Sequence, residues 1–202
     1  MRSEPGDVIS FWIADGDTSP EALKRVSKTW YRSKPAFDDE IRTRFGDTLA
    51  LAEQGDLPEW RGDAEGELAL VILLDQFSRN LYRGTPDAWR NDTLALEIAS
   101  DCVESERYQA LTLTGRLVLY HPFHHAESIT EQERACALYE QEEDNADEAW
   151  KPEIAFHSEA ARGHREIVRQ FGRFPHRNAA LGRSSTPAET DHLSTNKKRY
   201  GQ

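Results

Sequence analysis

Three observations predict an all-α fold built from antiparallel helix pairs. Apolar residues recur at helical spacing, most clearly Phe37, Ile41, Phe45 and Leu49 at four-residue steps. Segments open on Pro5, Pro20 and Pro35, each suited to a first helical turn. No run alternates apolar and polar residues as a strand would, and no hairpin turn signal separates such runs. The short connections imply antiparallel neighbours.

The elements follow in order. The first helix carries Val8, Ile9, Phe11 and Trp12, and the second Leu23, Val26 and Trp30. The third is stopped by Gly55. Asp63 is placed to cap the fourth, which runs through Leu68 and Leu70 to Leu74 and on to Phe77. That run is apolar all round, so the helix belongs at the centre of the fold. A strand is its rival, but the preceding Glu-Leu-Ala-Leu favours helix. Further helices are expected over 92–104, 110–121, 128–142 and 147–171, the last breaking near Lys151-Pro152. A short one follows Pro187, capped by Ser185 or Thr186. Residues 1–193 read as one domain and 194–202 as a flexible tail. No period near 34 residues is obvious, so periodicity alone does not establish a solenoid.

The 202 residues carry a formal charge of −11, with 30% charged and 38% hydrophobic side chains. Such a balance disfavours nucleic-acid and anionic-membrane partners, both of which need a positive face. No apolar run is long enough to span a bilayer, and acids precede any apolar stretch at the N-terminus, unlike a signal peptide. Cys102 and Cys136 lack metal-type spacing and sit among helix formers, as buried apolar groups do. The expected setting is the cytoplasm, with no cofactor.

The chemistry concentrates in three places. DQFSRNLYRGT (75–85) and GRFPHRNAALGR (172–183) echo each other: Phe, an Arg-Asn pair, then Gly four residues after the Asn. Arg79-Asn80 and Arg177-Asn178 suit either a buried hydrogen-bond network or an anion. Asp75 precedes Arg79 by one helical turn, which gives either a local salt bridge or a ligand-facing pair. The second place, YHPFHHAES (120–128), holds His121, His124, His125 and Glu127. Pro122 is expected to end the preceding helix and spoil an i, i+4 pairing of His121 with His125, so an acid–base His–Glu pair ranks above a metal. His124, among polar neighbours, reads as exposed. The third is a basic run over 162–183 with six arginines against one carboxylate, Glu166. Arg162 and Arg169 read as a solvated face neutralising the acidic 127–148 segment. Arg173, His176 and Arg177 sit in a Gly/Pro turn beside Phe174, where binding groups reside. His157 is placed to face the region of His125.

LALVILLDQFSRNLYRGT (68–85), HHAES (124–128) and GRFPHRN (172–178) together resemble the bacterial family known as domain of unknown function 924. The likeness extends from Val8 to Pro187. It implies a tetratricopeptide-like α–α superhelix and no established reaction. The chain departs from the family pattern at Ser78, His124 and Ala126, where Pro, Glu and Ser are usual. Asp75, Arg79, Asn80, His125, Glu127, Arg173, His176, Arg177 and Asn178 match motif positions and are the candidate site residues.

Three functions compete. A groove lined by Asp75, Arg79, Asn80, Arg173, Arg177 and Asn178 would hold a small anion, carboxylate or phosphate, or a peptide terminus. An acid/base hydrolase or transferase would use His125 or His176, oriented by Glu127 or Asp75. An interaction scaffold would use the same residues as interior staples, pairing Asp75 with Arg177 or Glu127 with Arg79. No P-loop, dinucleotide fingerprint or G-x-S-x-G element is present.

Overall fold

A computed structural model describes residues 2–31 and 35–195, with Tyr31 as backbone only. Among them the regular structure is helical, with no strand. The helices are α1 (Pro5–Ile13), α2 (Pro20–Tyr31), α3 (Pro35–Gln54), α4 (Ala64–Val71), α5 (Ser78–Leu81), α6 (Asp92–Glu104), α7 (Leu113–Leu119), α8 (His121–His125), α9 (Ile129–Asn145), α10 (Lys151–Phe171) and α11 (Pro187–Thr195).

The Asp63 side chain caps α4 by accepting the Gly66 N–H at 2.9 Å. The helix then widens: Ile72–Phe77 is π-helical, and the Ser78 N–H donates to Leu73, five residues back. One extra residue in the turn rotates everything after it. Phe77 consequently enters the core against Phe45 at 5.1 Å, Trp12 at 5.5 Å and Phe11 at 6.0 Å. Gln76, Arg79 and Asn80 look the other way, into a cavity. As its apolar run requires, α4 is buried and packs against both α1 and α6.

Two prolines expected to mark breaks also start helices: α7 stops at Leu119, ahead of Pro122, as expected. Pro152 lies in the first turn of α10, so the interruption expected near Lys151-Pro152 is the start of the helix, and 147–150 lie outside it. Pro122 opens α8 after only Tyr120, because its missing N–H is harmless in a first turn. α7 and α8 are therefore two short helices. Thr186 caps α11 in a reciprocal box, accepting the Glu189 N–H at 3.2 Å while Glu189 accepts the Thr186 N–H at 2.7 Å. Ser194 and Thr195 belong to α11, and 196–202 lie outside the described residues.

α9 and α10 form an antiparallel pair: Ser158 meets Glu143, Arg162 meets Glu140 and Arg169 meets Glu133. Partner numbers fall as the others rise. Such pairs are compatible with a tetratricopeptide-like arrangement. One hydrophobic cluster extends from Val8 to Ala161, and a second, of Ile167, Val168 and Phe174, closes the C-terminal side. No helix among the described residues is long and apolar enough to cross a membrane.

Gly66 allows the chain entering α4 to touch Trp60. A Cβ there would lie 2.3 Å from the Trp60 carbonyl oxygen. Gly66→Ala is expected to cost about 1–3 kcal/mol, a Tm loss of roughly 3–10 °C. Gly46→Ala, with nothing within 4 Å, should be neutral or stabilising by up to about 1 kcal/mol. Equal losses at both positions in a thermal melt would contradict this packing.

Candidate functional site

A cavity of about 440 Å³ lies between α2, the π-helical turn, α8, α10 and the Phe174–Arg177 turn. Its wall has three chemistries. Trp30, Trp89, Phe156 and Phe174 supply aromatic surface, with Phe156 more than half exposed at the rim. His121, His124, His125, His164 and His176 supply imidazoles, and Arg79, Arg83, Arg177 and Glu159 supply charge.

Beneath the wall the charged groups close a ring. Asp75 is fully buried and takes donors from Gln76, from Arg79 Nη1 at 2.8 Å and from His125 Nδ1 at 2.9 Å. Arg79 continues to Asp92, Nη2 to Oδ2 at 3.0 Å. Asp92 also accepts from Arg177 Nη1 at 3.2 Å. Arg177 Nη2 then donates to the backbone oxygen of His125 at 2.8 Å, completing the circuit. Asp92 opens α6, where a carboxylate also meets the positive end of the helix. Arg177 Cζ lies 4.6 Å from the Phe174 ring centroid and 5.5 Å from that of Trp89. Its Nε–H has no hydrogen-bond partner among the described residues.

Electrostatics follow from burial. Burial raises the Asp75 carboxyl above its usual range, against the pull of the adjacent Arg79. Burial, with Arg79 and His121 nearby, holds His125 well below the usual imidazole value. It brings His121 and His176 to about 3 and His157 and His164 to about 4. Arg177 is lowered to about 10, again mainly by burial. The imidazoles are thus neutral at ordinary pH. Because Arg79 and Gln76 both donate to Asp75, its carboxyl acts as acceptor toward His125, which fixes the ring proton on Nδ1.

The structure brings Arg79, Asn80, His125, His176 and Arg177 to the cavity wall, with Asp75 buried behind it, and puts Glu127, Arg173 and Asn178 elsewhere. Asn80 donates to Asp38 at 2.7 Å and so ties the wall to α3. Glu127 accepts from Arg183 at 2.6 and 2.9 Å and from the Phe174 N–H at 2.8 Å. Burial would raise its carboxyl, but these donors outweigh burial and lower it. Arg173 forms a two-pronged pair with Glu189 at 2.7 and 2.9 Å, and Asn178 bonds Ser185. Arg173 and Asn178 thus brace the 172–189 segment internally, and Glu127 ties it to the α8–α9 connection. Neither expected staple, Asp75–Arg177 or Glu127–Arg79, is the pair formed; the partners are Arg79, Asp92 and Arg183. His121 and His125 do share a helix face, their rings stacked at 5.8 Å, because Pro122 begins α8. His124, expected to be exposed, is buried at 3% exposure, since α8 turns inward.

Asp92, Trp89 and Phe156 were not marked by the sequence, and Trp30 was marked only as a core residue of α2. Asp92 left one trace, an acid at the start of a helix, which is too common a feature to mark a site. Arg162 and Arg169 do neutralise their neighbours, pairing with Glu140 and Glu133.

Taken together, this is an all-helical protein enclosing an imidazole- and guanidinium-lined cavity. The chain belongs to the bacterial family of unknown function DUF924, which matches residues 8–197. It is similar to a solved structure of a protein of unknown function from Agrobacterium tumefaciens, at 35% identity and a TM-score of 0.79. That likeness covers 95% of this chain and 97% of the other. No curated protein matches the sequence.

The depressed imidazoles predict how stability responds to acid. Unfolded histidines bind protons below about pH 6.5, whereas His157 and His164 resist until about 4. Their contribution is complete above pH 6.5 and is lost as pH falls toward 4, by up to about 1.4 kcal/mol per pH unit for each ring. Urea midpoints should decline steadily from pH 7 to pH 5; flat midpoints would mean that the rings are not buried as described. Separately, Glu127→Gln should cost roughly 2 kcal/mol by breaking charged hydrogen bonds, read by urea denaturation at pH 7.5.

Proposed function

We propose that the cavity binds a small molecule with one anionic end, a carboxylate in preference to a polyphosphate, and a partly apolar body. The observation supporting this most directly is the pair of guanidinium groups, Arg79 and Arg177, that line the cavity beside its aromatic wall. A hydrogen bond from a guanidinium to a carboxylate is roughly twice as strong as a neutral one and suits a planar two-oxygen acceptor. Arg79 and Arg177 together face Asp75 and Asp92, leaving the ring balanced in charge. A balanced ring accepts one carboxylate more readily than several phosphates. Trp30, Trp89 and Phe174 offer surface for the rest of the ligand, and the volume fits a metabolite or the last residue of a peptide.

Melting curves with monocarboxylates, dicarboxylates, inorganic phosphate and nucleotides test this reading. A ligand at a hundred times its Kd should add about 2.7 kcal/mol, or roughly 5–10 °C. Arg177→Lys retains a cation for Asp92 but lacks the fork, and should lose most of the shift. No shift from any carboxylate or phosphate with the wild-type protein would overturn the proposal.

A further inference from the structure

We infer that this cavity is catalytic: His125 Nε2 accepts a proton from the carbon next to the ligand's carboxyl or carbonyl group, Asp75 positions the ring, and Arg177 holds the oxygen that gains charge. The inference rests on the binding reading above and adds a reaction to it.

Geometry carries the argument. The His125 ring has two nitrogens, and Nδ1 is committed to Asp75 at 2.9 and 3.0 Å. A neutral imidazole with its proton on Nδ1 has its lone pair on Nε2, and the ring lines the cavity. Arg177 reaches the same residue through its backbone oxygen at 2.8 Å, so base and guanidinium are held in one frame. Among the described residues no Ser, Thr, Cys or Lys lines the cavity, and the histidine is the group placed to take a proton. The aromatic walls favour direct proton removal over activation of water. In the step, the C–H proton moves to Nε2, the C–H electron pair forms a carbon–carbon double bond, and the displaced carbonyl pair comes to rest on the oxygen beside Arg177. The imidazolium, steadied by Asp75, returns the proton to the same or a neighbouring carbon. No further reactant is needed.

Iodoacetate is the probe, because it joins a carboxylate to an electrophilic carbon. Nε2 forms the new C–N bond while the C–I bond breaks and iodide leaves. Peptide mapping by mass spectrometry should find His125 alkylated at least tenfold faster than His192, which lies outside the cavity, and faster by iodoacetate than by iodoacetamide. Burial keeps His125 neutral well below the usual imidazole value, so its rate should hold between pH 7.5 and pH 5.5, where an ordinary histidine loses about tenfold. Asp75→Asn should slow His125 labelling at least tenfold, and Asp75→Glu, which keeps the carboxylate, should restore most of the rate. 2-Oxobutanoate in deuterium oxide should exchange its C3 hydrogens at least 100-fold faster with wild type than with His125→Gln. An iodoacetate melting shift without preferential His125 labelling, or labelling without exchange, would overturn catalysis while binding survives. With neither shift nor labelling, both readings fall. Equal labelling by iodoacetamide would overturn the anionic substrate class.

Discussion

The circuit from His125 through Asp75, Arg79, Asp92 and Arg177 back to His125 is the constraint around which the cavity is arranged. Each member comes from a different stretch of chain: the π-helical turn, α5, the first turn of α6, α8 and the Phe174–Arg177 turn. Buried charges are tolerable only when paired and hydrogen-bonded. The ring meets that condition for all four ions at once, so removing any one leaves its neighbours exposed to the full desolvation penalty. Cavity shape and ring integrity are therefore one property.

Around the ring the protein arranges polar groups without charge. Five imidazoles line the cavity, and burial holds each of them neutral. They pack as aromatic rings do, with His124 at 5.0 Å from His164 and 4.6 Å from His125. A neutral imidazole can line an apolar wall and still offer a donor or an acceptor. The same wall therefore suits an apolar ligand body and its polar end.

Most of the fold was legible because helix formation is local. Phe37 to Leu49 at four-residue steps, the Asp63 cap and the uniformly apolar α4 each express physics within one or two turns. Pro122 and Pro152 do mark helix boundaries, but that each also opens the following helix was not legible, because proline suits a first turn as well as it disrupts an interior one. The site was half legible. Asp75 and Arg79 are neighbours on a helix, so their pairing is written in the spacing. Arg173 and Arg177 look alike in sequence, yet Arg173 turns to Glu189 and Arg177 to Asp92. That choice depends on partners 16 and 85 residues away. The Arg-Asn echo had a backbone basis as well, since Gly84 and Gly182 both adopt left-handed φ, 69° and 64°.

The π-helical turn separates two demands that a regular helix would set against each other. Phe77 must reach the aromatic core while Gln76 and Arg79 face the cavity. The widened turn amounts to a single inserted residue that later segments never absorb, so the phase of α5 is offset from that of α4. Removing one residue between Ile72 and Phe77 would conserve nearly all of the composition and every motif outside the turn. It would still rotate Arg79 and Asn80 by roughly a quarter-turn relative to α4. The identity of this cavity is thus encoded in residue count as much as in residue type.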